Sequence, residues 1–193
     1  MPPDIVLSQR TADGSSEVET TRSAAATTLF IDQIRHQISD RNIALSPLAA
    51  PADPDIRQML RLHAALTAGP GGTGNRVALK RLSPMRDTLG PGVRILADQY
   101  GADYAVFFYL RDRTTSNGRV MVNIASNILL ALLSTGRVQQ TYSDAERVAC
   151  LSLMSLYSGD IVWNHCLTDT SGDLTDAGDA GDFTQTLFEN MPL

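Results

Sequence analysis

The segment from Arg147 to Leu167 constrains the fold more than any other stretch of the chain. Two apolar runs, the second rich in β-branched and aromatic residues, flank Tyr157-Ser158-Gly159-Asp160. Gly159 supplies the positive φ that a tight reversal needs, so the pattern predicts a β-hairpin. Alternation places Ala149, Leu151 and Leu153 on one face and Val148, Cys150, Met154 and Leu156 on the other. Strands apolar on both faces belong inside a sheet covered on both sides. Cys150 and Cys166 sit on opposite arms. A three-residue loop Tyr157-Ser158-Gly159 would set them opposite one another and permit a cross-strand disulfide, whereas other registers separate them and leave two small buried thiols.

A chain of 193 residues supports one well-buried domain over residues 1–193, with a partly irregular segment at 1–20 and an acidic loop and terminal helix at 168–193. The net charge of −5 argues against non-specific nucleic-acid binding. The first apolar stretch is only Ile5-Val6-Leu7 with no basic region before it, so the leader of any exported form is expected upstream of Met1. The longest apolar stretch, Val120 to Leu133, is interrupted by Asn123, Ser126 and Asn127 and falls short of the roughly 20 residues that span a bilayer.

Met1 to Ser8 suits a short strand after two prolines, and Thr11 to Glu19 reads as a polar loop. From Thr21 to Asp40 the apolar residues Ala24, Leu29, Ile31, Ile34 and Ile38 recur at helical spacing. Asp53 is placed to cap a second helix with Ile56, Met59, Leu60 and Leu66 on its apolar face, ending at Gly69. Pro91 opens a third helix that closes at Tyr100-Gly101, and Ala102 to Leu110 is the strongest single strand signal. Val120, Ile124, Ile128 and Leu132 stack at four-residue spacing, the pattern of a buried helix or of a segment meeting a partner. The predicted class is α/β (α+β): a mixed sheet with helices on its faces, a C-terminal hairpin and a final helix.

Four stretches need weighing as sites. Gly69-Pro-Gly-Gly-Thr-Gly74 has the spacing of a dinucleotide fingerprint, but a helix leads in and Pro70 occupies a glycine-loop position; Asn75-Arg76 stands where a phosphate loop has Lys-Ser or Lys-Thr. A flexible loop is the simpler reading. Arg76, Lys80, Arg81 and Arg86 form a basic run without interleaved aromatics, which suits a solvated face or an acidic partner. Arg111-Asp112-Arg113 follows the buried strand, at the position where α/β sheets often bind ligands, although charges there usually mark emergence into water. The acids of Asp169 to Asp182 lack EF-hand spacing, and capping of a last helix by Thr175 or Asp176, docked through Phe183, Leu187 and Phe188, explains them more simply than calcium. His36, His63 and His165 form no metal-spaced pair, and His165 and Cys166, adjacent on a strand, point to opposite faces. No catalytic, metal or cofactor site is expected. Trp163 is expected to share a face with Ile161 in the sheet packing.

Three motifs together resemble a known group: Tyr100-Gly-Ala-Asp-Tyr-Ala-Val106 leading from a helix into a buried strand, Gly118-Arg-Val120 opening an apolar segment, and Ser158-Gly-Asp-Ile-Val-Trp163 turning a hairpin. Met1-Pro-Pro-Asp4 and Leu89-Gly-Pro-Gly-Val93 fit the same pattern. They look like bacterial envelope lipoproteins whose fold is similar to the curli secretion lipoprotein and to the N-terminal domain of the Tol-system periplasmic propeller protein. The resemblance implies a periplasmic protein tethered to the outer membrane by an acylated cysteine, and the chain shown contains neither signal nor lipidated cysteine. It carries no catalytic residues to transfer. It implies assembly through contacts with other envelope proteins or in a homo-oligomer, with Val120, Ile124, Ile128, Arg111 and Arg113 as candidate contact residues. The competing expectation is a small-ligand or nucleotide-binding module built from Gly69 to Arg76 and Arg111 to Arg113.

Overall fold

Strand pairing dictates the path of the chain. The computed structural model describes residues 3–11, 13–41, 43–45, 54–68, 88–115, 146–168 and 171–192. Among these, β1 (Asp4–Arg10), β2 (Ser16–Val18), β3 (Tyr104–Thr115), β4 (Glu146–Ser155) and β5 (Ile161–Leu167) form one mixed sheet in the order β2-β1-β3-β4-β5. β1 runs parallel to β3, and the other neighbours are antiparallel. The helices are α1 (Thr20–Ser39), α2 (Pro54–Ala68), α3 (Arg94–Tyr100), entered through a 3-10 turn at Pro91–Val93, and α4 (Ala177–Leu187). The class is α+β.

Alternation on the central strands separates two cores. Ile5, Leu7, Phe108, Leu110, Ala149, Leu151 and Leu153 face α1 and α4. Phe107, Met154 and Leu156 face α2 and the segment containing Val93 and Leu96. The first core is centred on Phe30, which is fully buried, stacks on Phe108 at 5.0 Å between ring centroids and meets Phe183 edge-on at 6.2 Å. Burial of such a ring contributes about 2–3 kcal/mol.

Several expectations need correction. The buried stripe of α1 is Ala26, Phe30 and Ile38 with Ile34 half-buried, while Ala24 is exposed. The sheet selects the four-residue row that meets Phe108 and α4, and hydropathy alone does not fix that rotation. Residues 16–18, read as loop, form β2 because Gly14 (φ +90) lets the chain reverse onto β1. β1 is also longer than expected, reaching Arg10 by pairing with the far half of β3. Trp163 and Ile161 do not share a face. The β4–β5 register shifts between Leu153 and Met154, so Leu153 pairs with Trp163 and Met154 with Ile161, leaving Val162 as the extra residue of a bulge. One inserted residue inverts the alternation, sending Trp163 to the α1/α4 core and Ile161 to the other.

Gly159 has φ +79, and a Cβ there would lie 2.2 Å from the Gly90 carbonyl oxygen. Leu89 N–H donates to the Gly159 carbonyl at 2.9 Å. The hairpin turn and the start of α3 are therefore locked together at a position that only glycine fits.

Candidate functional site

β3 continues to Thr115, so Arg111, Asp112 and Arg113 lie within the sheet rather than in a loop beyond it. The reading of an emerging polar loop is overturned by pairing on both sides, with β1 and with β4. Arg111 bonds the Asp4 carboxylate at 2.8 Å and the Asp4 carbonyl at 3.0 Å, and its guanidinium lies 4.3 Å from the Tyr109 ring centroid. Arg113 pairs with Glu146 at 3.5 Å, both well exposed. Asp112 is only 5% exposed and pairs at 3.1 Å with Arg147, 3% exposed and directly opposite it in register. Arg147 also donates to the carbonyls of Ser171 and Gly172, which ties the lead-in of α4 to the sheet. The three charges are thus structural partners; among them Asp112 would not reach a ligand. Val120, Ile124, Ile128, the Gly69–Arg76 loop and the basic run from Arg76 to Arg86 lie outside the described residues.

Cys150 and Cys166 are register partners and are joined by a disulfide, with Cα atoms 4.1 Å apart. That separation is characteristic of a non-hydrogen-bonded antiparallel pair, where side chains approach most closely. Beside this bond, the Ser152 hydroxyl donates to Asn164 Oδ1 at 3.1 Å and lies 2.9 Å from His63 Nε2. With the one hydroxyl proton given to Asn164, Ser152 Oγ accepts from a protonated Nε2 of a neutral imidazole. His63 is 2% exposed and stacks on Phe107 at 4.7 Å. Burial lowers its pKa to about 4, against a smaller opposing attraction from Asp4. A catalytic base must accept the serine proton, whereas this imidazole donates to a serine that is fully buried. The pair fixes α2 on β4. Sequence periodicity contained the signal for this contact, since His63 lies four residues after Met59 and seven after Ile56 on the inward stripe.

Where it is described, the acidic C-terminal stretch caps α4 through Asp176 and closes the preceding turn through Asp173. Asp176 accepts from the N–H groups of Gly178 and Asp179 at 2.8 and 3.2 Å. Asp173 accepts from Thr175 N–H at 3.0 Å and hydroxyl at 2.8 Å and pairs with Arg22 at 3.1 Å. Those bonds, the Thr175 backbone first, hold its pKa below the ordinary carboxylate range. Phe183, Leu187 and Phe188 are buried against α1 and the sheet.

A concave feature lies at the other end of β3. Gly101, in the left-handed region at φ +61, ends α3 with its N–H on the Ala97 carbonyl at 2.8 Å. The chain then turns through Ala102-Asp103, with the Asp103 carbonyl accepting from Leu156 N–H at 2.9 Å, and starts β3 at Tyr104. Between this turn and the residues following α1 is a cavity of about 450 Å³. Ile38, Leu96, Leu153 and Leu156 line its buried side, and Tyr100, Asp103 and Tyr104 its open side. The motif Tyr100 to Val106 was readable in the sequence as a helix-to-strand junction, but concavity arises only where three separate elements converge. Compared with protein-family models, with curated proteins and with solved structures, the chain matches none.

Proposed function

We propose that this is a non-enzymatic cell-envelope protein, periplasmic and associated with the outer membrane, that serves in assembly or as a scaffold through contacts with other envelope proteins or with copies of itself. The observation that carries this reading is covalent. The chain contains two cysteines, and they are bonded to each other across β4 and β5. Structural disulfides form and persist in oxidising compartments such as the periplasm, while thiols in the cytosol are kept reduced. The resemblance of Tyr100–Val106 and Ser158–Trp163 to envelope lipoproteins points to the same compartment. Peripheral attachment to the membrane then depends on a lipidated residue upstream of Met1.

For contacts, β2 and β5, the outer strands among the described residues, carry Val18 and Val162 at 57% and 50% exposure. Strand edges with exposed apolar side chains suit pairing with another chain. Arg113, paired at the surface with Glu146, is available to a contact, and Val120, Ile124 and Ile128 remain contact candidates by their four-residue spacing in the sequence alone. The competing ligand reading relies on the Gly69–Arg76 loop, outside the described residues, and on Arg111 to Arg113, and the partners that Arg111 and Arg113 have in Asp4 and Glu146 favour the contact reading. Crosslinking in cells followed by light scattering of the purified chain tests the proposal. A periplasmic pool with crosslinked partners or a concentration-dependent oligomer is expected. A monomer at every concentration, with no partner recovered, overturns it.

A further inference from the structure

We infer that the cavity at the start of β3 binds a small organic cation with an apolar body, of the alkylammonium or arylammonium class. Its wall is hydrocarbon: Ile38, Leu96, Leu153 and Leu156, each no more than 3% exposed, close it from behind, and the half-buried Ile43, Ala105 and Val106 add accessible apolar surface. A volume of about 450 Å³ is within the range of small-molecule sites. The sign of the ligand follows from the lining. Asp103 is the one charged side chain among the described lining residues, and no Lys, Arg or His joins it. Asp4, Asp112 and Asp173 each have an arginine partner, whereas the Asp103 carboxylate has neither a hydrogen bond nor an ion pair among the described residues. Tyr100 and Tyr104 line the same opening, and aromatic residues favour cations where anions find no compensating charge. An ammonium group can thus meet a carboxylate beside two tyrosines while its hydrocarbon lies against the apolar wall, whereas an anion of the same shape meets only repulsion at Asp103.

A matched series of n-hexylammonium, 1-hexanol and hexanoate, titrated calorimetrically into the full chain at neutral pH, tests this. The ammonium is expected to bind most tightly and hexanoate about tenfold more weakly or worse. Asp103→Asn should weaken the ammonium by about tenfold while leaving 1-hexanol within about twofold, which also shows that the variant keeps the cavity. Asp103 is an exposed residue, so folding of the variant is expected to be normal. Equal binding of hexanoate, undiminished ammonium binding by Asp103→Asn, or no binding by any of the three overturns the inference. The outcome is independent of oligomeric state and compartment, and so of the assembly reading.

Discussion

Acidification should destabilise this protein through one buried imidazole. In the unfolded chain His63 titrates near 6.5, and in the fold burial holds it at about 4. Between those values the unfolded state binds the proton and the folded state does not, so stability falls as pH drops from 6.5 towards 4 and this contribution is flat below. At 1.36 kcal/mol per pH unit, the gap corresponds to about 3 kcal/mol, a sizeable share of the roughly 5–15 kcal/mol of a typical domain. The side chain is 2% exposed, so solvent screening does not reduce that figure much. Urea denaturation in half-unit steps from pH 4 to 7.5 measures it, with His63→Gln as the non-titrating control that can still reach Ser152. Carboxylates titrate in both proteins and cancel in the difference. The wild type should lose about 3 kcal/mol more than the variant over the window. Parallel curves would refute a neutral, buried His63, and with it the packing of α2 on β4.

Other expectations follow from packing and charge. Phe30→Ala should cost about 3–5 kcal/mol in equilibrium unfolding, because the emptied volume lies between Phe108 and Phe183. Asp112→Leu should cost about 3–5 kcal/mol by stranding Arg147, whereas Asp112→Leu with Arg147→Met should cost clearly less than the sum of the single changes; an additive result would show that the two do not interact. Reduction of the disulfide, which closes a loop of sequence separation 16, should lower stability by about 3 kcal/mol as read by denaturation with and without reductant. Gly159→Ala should destabilise by more than the roughly 1 kcal/mol of an ordinary glycine replacement, since both its φ and the Gly90 carbonyl oppose a side chain.

Residues with strong local signals were readable in the sequence. Gly159 marked the hairpin, Gly101 the end of α3 and the pair Thr175-Asp176 the start of α4, where Asp176 is the cap, because each signal acts within a few residues of itself. Apolar runs on both faces of β4 announced the doubly covered sheet. Features made between distant segments were not readable. Asp112 looked like a solvated charge until β4 set Arg147 opposite it, and β2 needed β1 as a template before three polar-flanked residues could count as a strand. The Val162 bulge changes no composition and shifts no apolar residue in the sequence, yet it moves Ile161 and Trp163 to opposite cores. The cavity is of the same kind, since Ile38, Leu96 and Leu153 are far apart in the chain.

Mass spectrometry of the protein isolated from its native host, alkylated while denatured and without reductant, most directly tests the claim that Cys150 and Cys166 are bonded in the sheet and that the chain works in an oxidising compartment. The account predicts no alkylation, with a single disulfide-linked peptide pair containing Cys150 and Cys166. Two alkylated cysteines would contradict both the compartment and the role built upon it.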